Sequence, residues 1–413
     1  MRKLYRRVAG LDVHKDQVTA CVRIARKGED PFEEIQEFGT TTAQLLVLRD
    51  WLAANEVTLV SMEATGVYWK PVYYILEDEF EAWVVNARHF HNVPGKKTDD
   101  NDARWLAELT QHGLVRPSFV PPRDVRELRD LTRYRKTQIQ ARTAEVQRLD
   151  KVLQDAGIKL SSVASRVLGV SSRAMLDAMI SGTTEPEVLA DLAQGRLRAK
   201  LPALREALRG RFTARHALLV SEILGHIDYL DEAIERLSAQ VKEAIRPFEE
   251  KADLLKTIPG VDELTAQSLI AECGPDMSRF PTHRHLASWA GMCPGNDESA
   301  GKRRSGKTRK GSKWLRDTLV QAAHAAARTK NTYLASQYAR LQGRRGKKRA
   351  AVAVGHSILV SAYHVLSRGV PYQDLGEDWL LTRDRERQTR RLVKQLARLG
   401  HIVTLDPAEV VSA

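Results

Sequence analysis

Cysteine is scarce in this 413-residue chain: Cys21, Cys273 and Cys293 make an odd count with no Cys-x-x-Cys pair. That excludes a disulfide framework and a zinc ribbon and fits a reducing cytosol, so a cytoplasmic protein is expected. Long apolar runs are lacking as well. The longest, "AAVAVGHSILVSAYHVL" (350–366), is short and carries His356 and His364, which predicts a buried helix and no membrane partner. "MRKLYRR" at the N-terminus is charged with no apolar run behind it, so a signal peptide is not expected. Acidic charge is in deficit, 52 Asp+Glu against 65 Lys+Arg, a formal net charge of +13. The excess points to a polyanionic partner, nucleic acid before a membrane surface. The length suits two or three domains with ample core.

Three blocks follow one another. Residues 1–118 alternate strand-like and helix-like segments: "VAGLDV" (8–13), "QVTACVRIA" (17–25), "PFEEIQEFGT" (31–40), "VTLVSMEA" (57–64) and "EAWVVNA" (81–87) read as strands. Leu45, Leu48 and Leu52 recur at helical spacing, an aromatic helix is expected around 67–80, and "DARWLAELTQHG" reads as a closing helix. This predicts an α/β sheet with helices on its faces. From 119 to 250 the pattern is helical. Val125, Thr132, Ile139, Val146 and Leu153 recur every seven residues, and Val220, Ile223, Ile227, Leu230, Ile234, Leu237 and Val241 step by three and four. Two such seams predict an antiparallel coiled-coil pair or a dimer contact, with a helical insert at 157–213 between them. Residues 251–370 form a mainly helical third block, and 371–413 a charged tail whose "RDRERQTRRLVKQLARLG" (383–400) reads as one exposed helix.

Four acids stand out. Asp12 sits within an apolar strand, "GLDVHKD", and Glu63 ends another, "VTLVSME". A carboxylate leaves water at a cost unless it is paired or holds a metal, although Asp12 could merely cap the turn that follows it. "KTDDNDARWLAEL" (97–109) adds Asp99 and Asp102, which at i, i+3 share one helix face while Asp100 points elsewhere. A first-strand Asp, a later-strand Glu and a helical Asp pair build the magnesium site of ribonuclease-H-like folds. Hard divalent cations prefer oxygen ligands, and a pair of them can clamp both oxygens of a phosphodiester displacement. Lys96 and Lys97 beside the acids suit a phosphate backbone.

In this order, "GLDVHKD", "MEATGVYW" and "KTDDNDARWLAEL" closely resemble the DEDD motifs of insertion-sequence transposases of the IS-one-ten type. The resemblance implies a RuvC-like N-terminal domain, a coiled coil and a C-terminal transposase domain, with the tetrad on Asp12, Glu63, Asp99 and Asp102. It covers nearly the whole chain except the 157–213 insert and the tail beyond about 370, and short members of the family lack an insert of that size.

The second informative stretch is "PGNDESAGKRRSGKTRKGSKWLRDTL" (294–319). From Ser299 through Arg316 it holds eight Lys/Arg and no acid, and Gly295, Gly301, Gly306 and Gly311 make it flexible or sharply turned up to a helix near Ser312. Lys302, Arg303, Arg304, Lys307, Arg309, Lys310 and Lys313 are its candidate phosphate contacts; a disordered basic linker is the plain alternative. Serine attacks a phosphate only when activated and when cations stabilise the developing charge, and Ser299 has the cations but no base of its own nearby. The stretch resembles the family's serine signature, which falls on Ser299 in "ESAGK". Ala300 stands where many members carry Gly, and Ser305 in "RSGK" is the competitor.

"LLKTIPGVDELTAQSLIAECG" (254–274) looks like a helix-hairpin-helix, but Asp262 in its turn weakens phosphate affinity and favours a structural role. "GRRGKKR" (343–349) reads as a sequence-independent phosphate contact. The resemblance implies an insertion-sequence recombinase acting on donor and target DNA under an element-encoded bridge RNA, as a dimer or tetramer, through Mg²⁺ and a phosphoserine. A RuvC-like junction endonuclease using activated water is the alternative enzyme, and a non-catalytic nucleic-acid-binding protein a third reading.

Overall fold

The computed structural model describes residues 4–64, 66–86, 102–295, 298–299, 302–303, 305–308, 310–383 and 385–405, and it divides into two compact units, Met1–Val120 and Pro121–Ala413.

The first unit is a mixed α/β sheet, as its alternation predicts. Strands β1 (Arg7–Val13), β2 (Gln17–Ile24), β3 (Phe32–Gly39), β4 (Leu59–Glu63) and β5 (Glu81–Val85) lie in the order β3-β2-β1-β4-β5. The first three form an antiparallel meander, whereas β4 and β5 join in parallel through crossovers. Period-2 alternation divides the side chains. Ala9, Leu11, Val13, Val60, Met62 and Val84 face α1 (Thr42–Ala54) and α2 (Trp69–Leu76), whose Leu45, Leu48, Leu52, Val72 and Leu76 complete that core. The opposite face carries Val8, Cys21 and Leu59, covered by Ala103 and Ala107 of α3 (Asp102–Gln111). There Cys21 is fully buried, and loss of water pushes its thiol up to about 11, so it packs as an inert apolar group.

The second unit is helical. Its two long helices, α4 (Arg123–Asp155) and, after the insert helices α5 (Leu160–Val163), α6 (Val170–Ile180), α7 (Pro186–Asp191) and α8 (Leu201–Ala207), α9 (Ala214–Ile245), pack along each other. They run antiparallel, since Arg142 Nη2 bonds Asp231 at 2.9 Å while Asp155 meets His216 at 3.0 Å. The insert folds over this pair: Met175, Leu176, Leu189 and Leu204 join Leu149, Leu153, Val220 and Ile227 in one core. The seven-residue series on α4 therefore serves two partners. Leu149 and Leu153 pack toward α9, but the N-terminal half of α4 turns to α11 (Glu263–Cys273) instead. On α9 the seam is buried at Val220, Ile223, Ile227, Leu230 and Val241 and only half-buried at Ile234 and Leu237.

Beyond α10 (Glu249–Lys256), the corner before α11 is a packing device. Gly260 has φ +85°, and a Cβ there would lie 2.4 Å from the Ala322 carbonyl oxygen of α13 (Lys313–Ala326). Asp262 caps α11 by accepting the Thr265 N–H at 2.8 Å. After α12 (His283–Trp289) and α13 come α14 (Tyr333–Arg345), α15 (Lys347–Arg368), the short α16 (Trp379–Thr382) and the exposed tail helix α17 (Arg385–Arg398). Helix α15 is long and apolar enough to cross a membrane, and half of its apolar window is buried against protein. Its buried face, including Val354, Ile358 and Leu359, packs on α13 and α14.

Candidate active site

Asp12 and Glu63 are brought level by strand pairing. The parallel ladder runs Val8↔Leu59, Ala9↔Val60, Gly10↔Ser61 and Leu11↔Met62, so the two acids are the next residues on adjacent strands, roughly 4.8 Å apart along the ladder spacing. Both point to the face covered by α3, because each lies two residues past a position in contact with that helix. A Cβ on Gly10 would stand 2.2 Å from the Ala103 carbonyl oxygen, and Ser61 Oγ lies 2.7 Å from Thr110 Oγ1.

The direction of α3 places its acid at the same edge. The Leu4 and Tyr5 N–H groups donate to the Gln111 carbonyl, fixing the C-terminus of α3 at the start of β1. Asp102, its exposed first residue, therefore lies toward the Asp12 end. Asp12 is about a quarter exposed, and His14 Nε2 stands 3.1 Å from its Oδ2. His14 sits in the quoted motif "GLDVHKD" yet draws no attention in the sequence; a ring nitrogen two residues on is placed to orient the carboxylate.

Three carboxylates on one face and one edge are the oxygen-donor chemistry that a hard divalent cation requires. Among the described residues no group of three or more His, Cys, Asp and Glu is close enough to hold a metal ion. Asp99, the expected fourth donor, lies outside the described residues, as do Asp100, Lys96 and Lys97.

The basic stretch, expected as flexible or sharply turned, is a β-hairpin in the second unit. Pro294 bridges Thr308, the Gly295 N–H donates to the Lys307 carbonyl at 2.9 Å, and at the far end β6 (Glu298–Ser299) pairs with β7 (Lys302–Arg303). Ser299 stands directly opposite Lys302. Ser305 belongs to the returning segment, and its hydroxyl accepts the Lys307 N–H at 3.1 Å. Lys307, Lys310 and Lys313 are exposed along the hairpin base, whereas Arg304 and Arg309 lie outside the described residues.

The hairpin base is clamped. A Cβ on Gly311 would lie 2.4 Å from the Ala290 carbonyl oxygen, and Arg316 Nη2 donates to the Gly291 carbonyl at 3.0 Å. Ser312 caps α13 through the Leu315 N–H and also donates to Glu272 Oε2 at 2.9 Å. Glu272, almost fully buried on α11, receives the Arg133 guanidinium from α4 at 2.7 and 2.9 Å. The serine hairpin is thus tied through one carboxylate to the long helix α4. Arg129 adds bonds to the Ala271 and Glu272 carbonyls at 2.9 and 2.7 Å.

Comparison with known proteins covers both units. Residues 9–158 match the DEDD-type family model of IS110 elements described as "Transposase", and residues 252–339 match the model "Transposase IS116/IS110/IS902 family". The chain is 25% identical over 380 residues to the transposase for insertion sequence element IS1111A of Coxiella burnetii, covering 89% of this chain and 91% of that protein. It is 28% identical over 153 residues to a pilin gene-inverting protein of Moraxella bovis, covering 36% of this chain and 47% of that one.

Proposed function

Since this chain belongs to the IS110-type transposases, enzymes that cut and recombine DNA, we propose that it mobilises an insertion sequence by serine-mediated strand exchange at a carboxylate-lined site. The observation that carries the reading is the level placement of Asp12 and Glu63 on neighbouring parallel strands, with α3 delivering Asp102 to the same edge.

In this reading Asp12, Glu63, Asp99 and Asp102 would hold Mg²⁺, which would supply positive charge to offset that of a phosphate. His14 orients Asp12. The Ser299 hydroxyl gives its proton to water and its Oγ attacks the phosphorus; a phosphoserine ester forms, one P–O bond of the DNA strand breaks, and the leaving oxygen takes a proton from water to become a free hydroxyl end. Attack by a partner strand's hydroxyl on the phosphoserine reverses the chemistry, so the phosphodiester energy is kept and no external energy source is needed. Lys302, Arg303 and the exposed Lys307, Lys310 and Lys313 offset negative charge on the attacked phosphate and its neighbours, with Arg304, Arg309, Lys96 and Lys97 in the same role. The serine of one unit must be delivered to the carboxylates of the other, within one chain or between subunits of a dimer or tetramer. Donor and target DNA are the substrates, selected by pairing with an element-encoded bridge RNA in the cytoplasm.

The engagement of Ser305 with the Lys307 N–H favours Ser299 as nucleophile, because it gives the competing hydroxyl a place in its own turn. The test is cleavage of labelled element-end DNA with the cognate RNA. Cutting in Mg²⁺ that vanishes with EDTA and in Asp12→Asn, with DNA binding retained, supports the reading. Undiminished cutting by Asp12→Asn overturns it.

A further inference from the structure

Four cationic residues of α4, Arg129, Arg133, Arg135 and Lys136, face the C-terminal helices, and they fall into two pairs. Arg129 and Arg133 are consumed in locking contacts to α11, the second with a full carboxylate. Arg135 and Lys136 instead line a cavity of about 210 Å³ between α4, α11 and α13. Arg135 is 3% exposed, and its Nη2 donates at 2.7 Å to the neutral Gln267 Oε1, whose amide in turn donates to Glu263 at 3.1 Å. Lys136 Nζ donates to Thr318 Oγ1 at 3.0 Å and the Trp314 carbonyl at 3.3 Å, again neutral acceptors. Among the described residues neither cation forms an ion pair.

We propose that this cavity is a phosphate site for a nucleic-acid backbone, with Arg135 and Lys136 as its cations and Gln140 and Gln321 as neutral donors on its wall. A buried guanidinium and a half-buried ammonium held by neutral groups are costly in isolation and gain when an anion enters. Burial lowers the proton affinity of both. Glu263 offsets this at Arg135, and Asp317 and Glu272 offset it at Lys136, without cancelling it. Asp262 also lines the cavity, but its carboxylate is occupied as the cap of α11. An arginine fork beside a lysine ammonium matches the several oxygens of one phosphate. At the helix corner Gly260 lines the same cavity, and the Ala322 carbonyl fills the space where its Cβ would stand. The cations come from α4 next to it.

This rests on nucleic acid being the ligand of the family's chemistry and not on Ser299, and it is read by binding without cleavage, so either can fail alone. The wild-type full-length protein is acylated with a lysine reagent, with and without a DNA duplex and, separately, an RNA hairpin, and Lys136 is read by mass spectrometry. Protection by the DNA alone, the RNA alone or both supports the site and identifies its source. Equal labelling of Lys136 under all conditions overturns it. In parallel, Lys136→Gln should flatten the salt dependence of binding by about 0.9 for a duplex and about 0.7 for a single strand. An unchanged slope with DNA and RNA alike overturns it too, and the wild-type labelling decides if that variant does not fold.

Discussion

Gly10→Ala should disable the carboxylate edge without touching any carboxylate. The added Cβ would stand 2.2 Å from the Ala103 oxygen, 2.5 Å from the Ala107 nitrogen and 3.1 Å from the Ala107 Cα. All three are backbone atoms of α3, so no side chain can yield, and the helix itself must lift from β1 by roughly 1 Å to restore van der Waals contact. Asp102 rides on that helix while Asp12 and Glu63 stay on the sheet. A displacement of that size costs on the order of 10²-fold in rate when it misplaces reacting groups. Overpacking adds about 1–3 kcal/mol of destabilisation, or about 4–12 °C in the melting temperature of a domain this size. The assays are single-turnover cleavage and thermal unfolding followed by circular dichroism. Gly225→Ala is the control: nothing lies within 4 Å of its Cβ position on α9, so it should be neutral or stabilise by up to about 1 kcal/mol. Wild-type cleavage and melting in Gly10→Ala would refute the placement of α3 on β1.

Glu272→Ala leaves the half-buried Arg133 guanidinium without its carboxylate and removes the acceptor of Ser312, which should cost about 1–3 kcal/mol in denaturant unfolding; a loss below about 0.5 kcal/mol contradicts the tether. Ile227→Glu places a charge at a position 1% exposed between α9 and its neighbours and should lower the melting temperature sharply, while light scattering should find the wild type dimeric or larger. A wild type monomeric at high concentration, with and without nucleic acid, would refute the assembly. Burial first, and His283 second, lower the proton affinity of the half-buried His356. The unfolded chain then binds the proton more readily, so this stability is present above the ordinary value of 6.5 and is lost as pH falls below it. His356→Asn should therefore flatten the decline in melting temperature between about pH 7.5 and about pH 5, and an unchanged slope argues against it.

The first unit was legible because its signals are local. Leu45, Leu48 and Leu52 mark α1 by spacing, and Asp12 and Glu63 are conspicuous as acids at the ends of apolar strands. Their convergence was legible only as a pattern, since Gly10 advertises nothing: its role is the backbone of α3 arriving from some ninety residues away. In the second unit the seven-residue series on α4 was visible, but not that its two halves meet different partners. Nothing local marks Arg129, Arg133 and Arg135: α11, more than 130 residues on, supplies the Glu272 carboxylate, Gln267 and the helix-end carbonyls that bury Arg135 and half-bury the other two. The serine stretch hid its hairpin for a related reason. Lysine, arginine and glycine have little strand preference, so only the pairing of Glu298–Ser299 with Lys302–Arg303 and the Pro294–Thr308 bridge reveal it.

Whether Ser299 carries the strand separates transesterification from hydrolysis. Protein, labelled DNA, cognate RNA and Mg²⁺ are mixed, resolved under denaturing conditions, and the labelled protein band is digested and sequenced by mass spectrometry. Attack by Ser299 leaves a nucleotide-bearing peptide modified at Ser299, lost in Ser299→Ala and retained in Ser305→Ala. Efficient cutting by the wild type with no covalent band, or near wild-type cutting by Ser299→Ala, would contradict it and assign the attack to water.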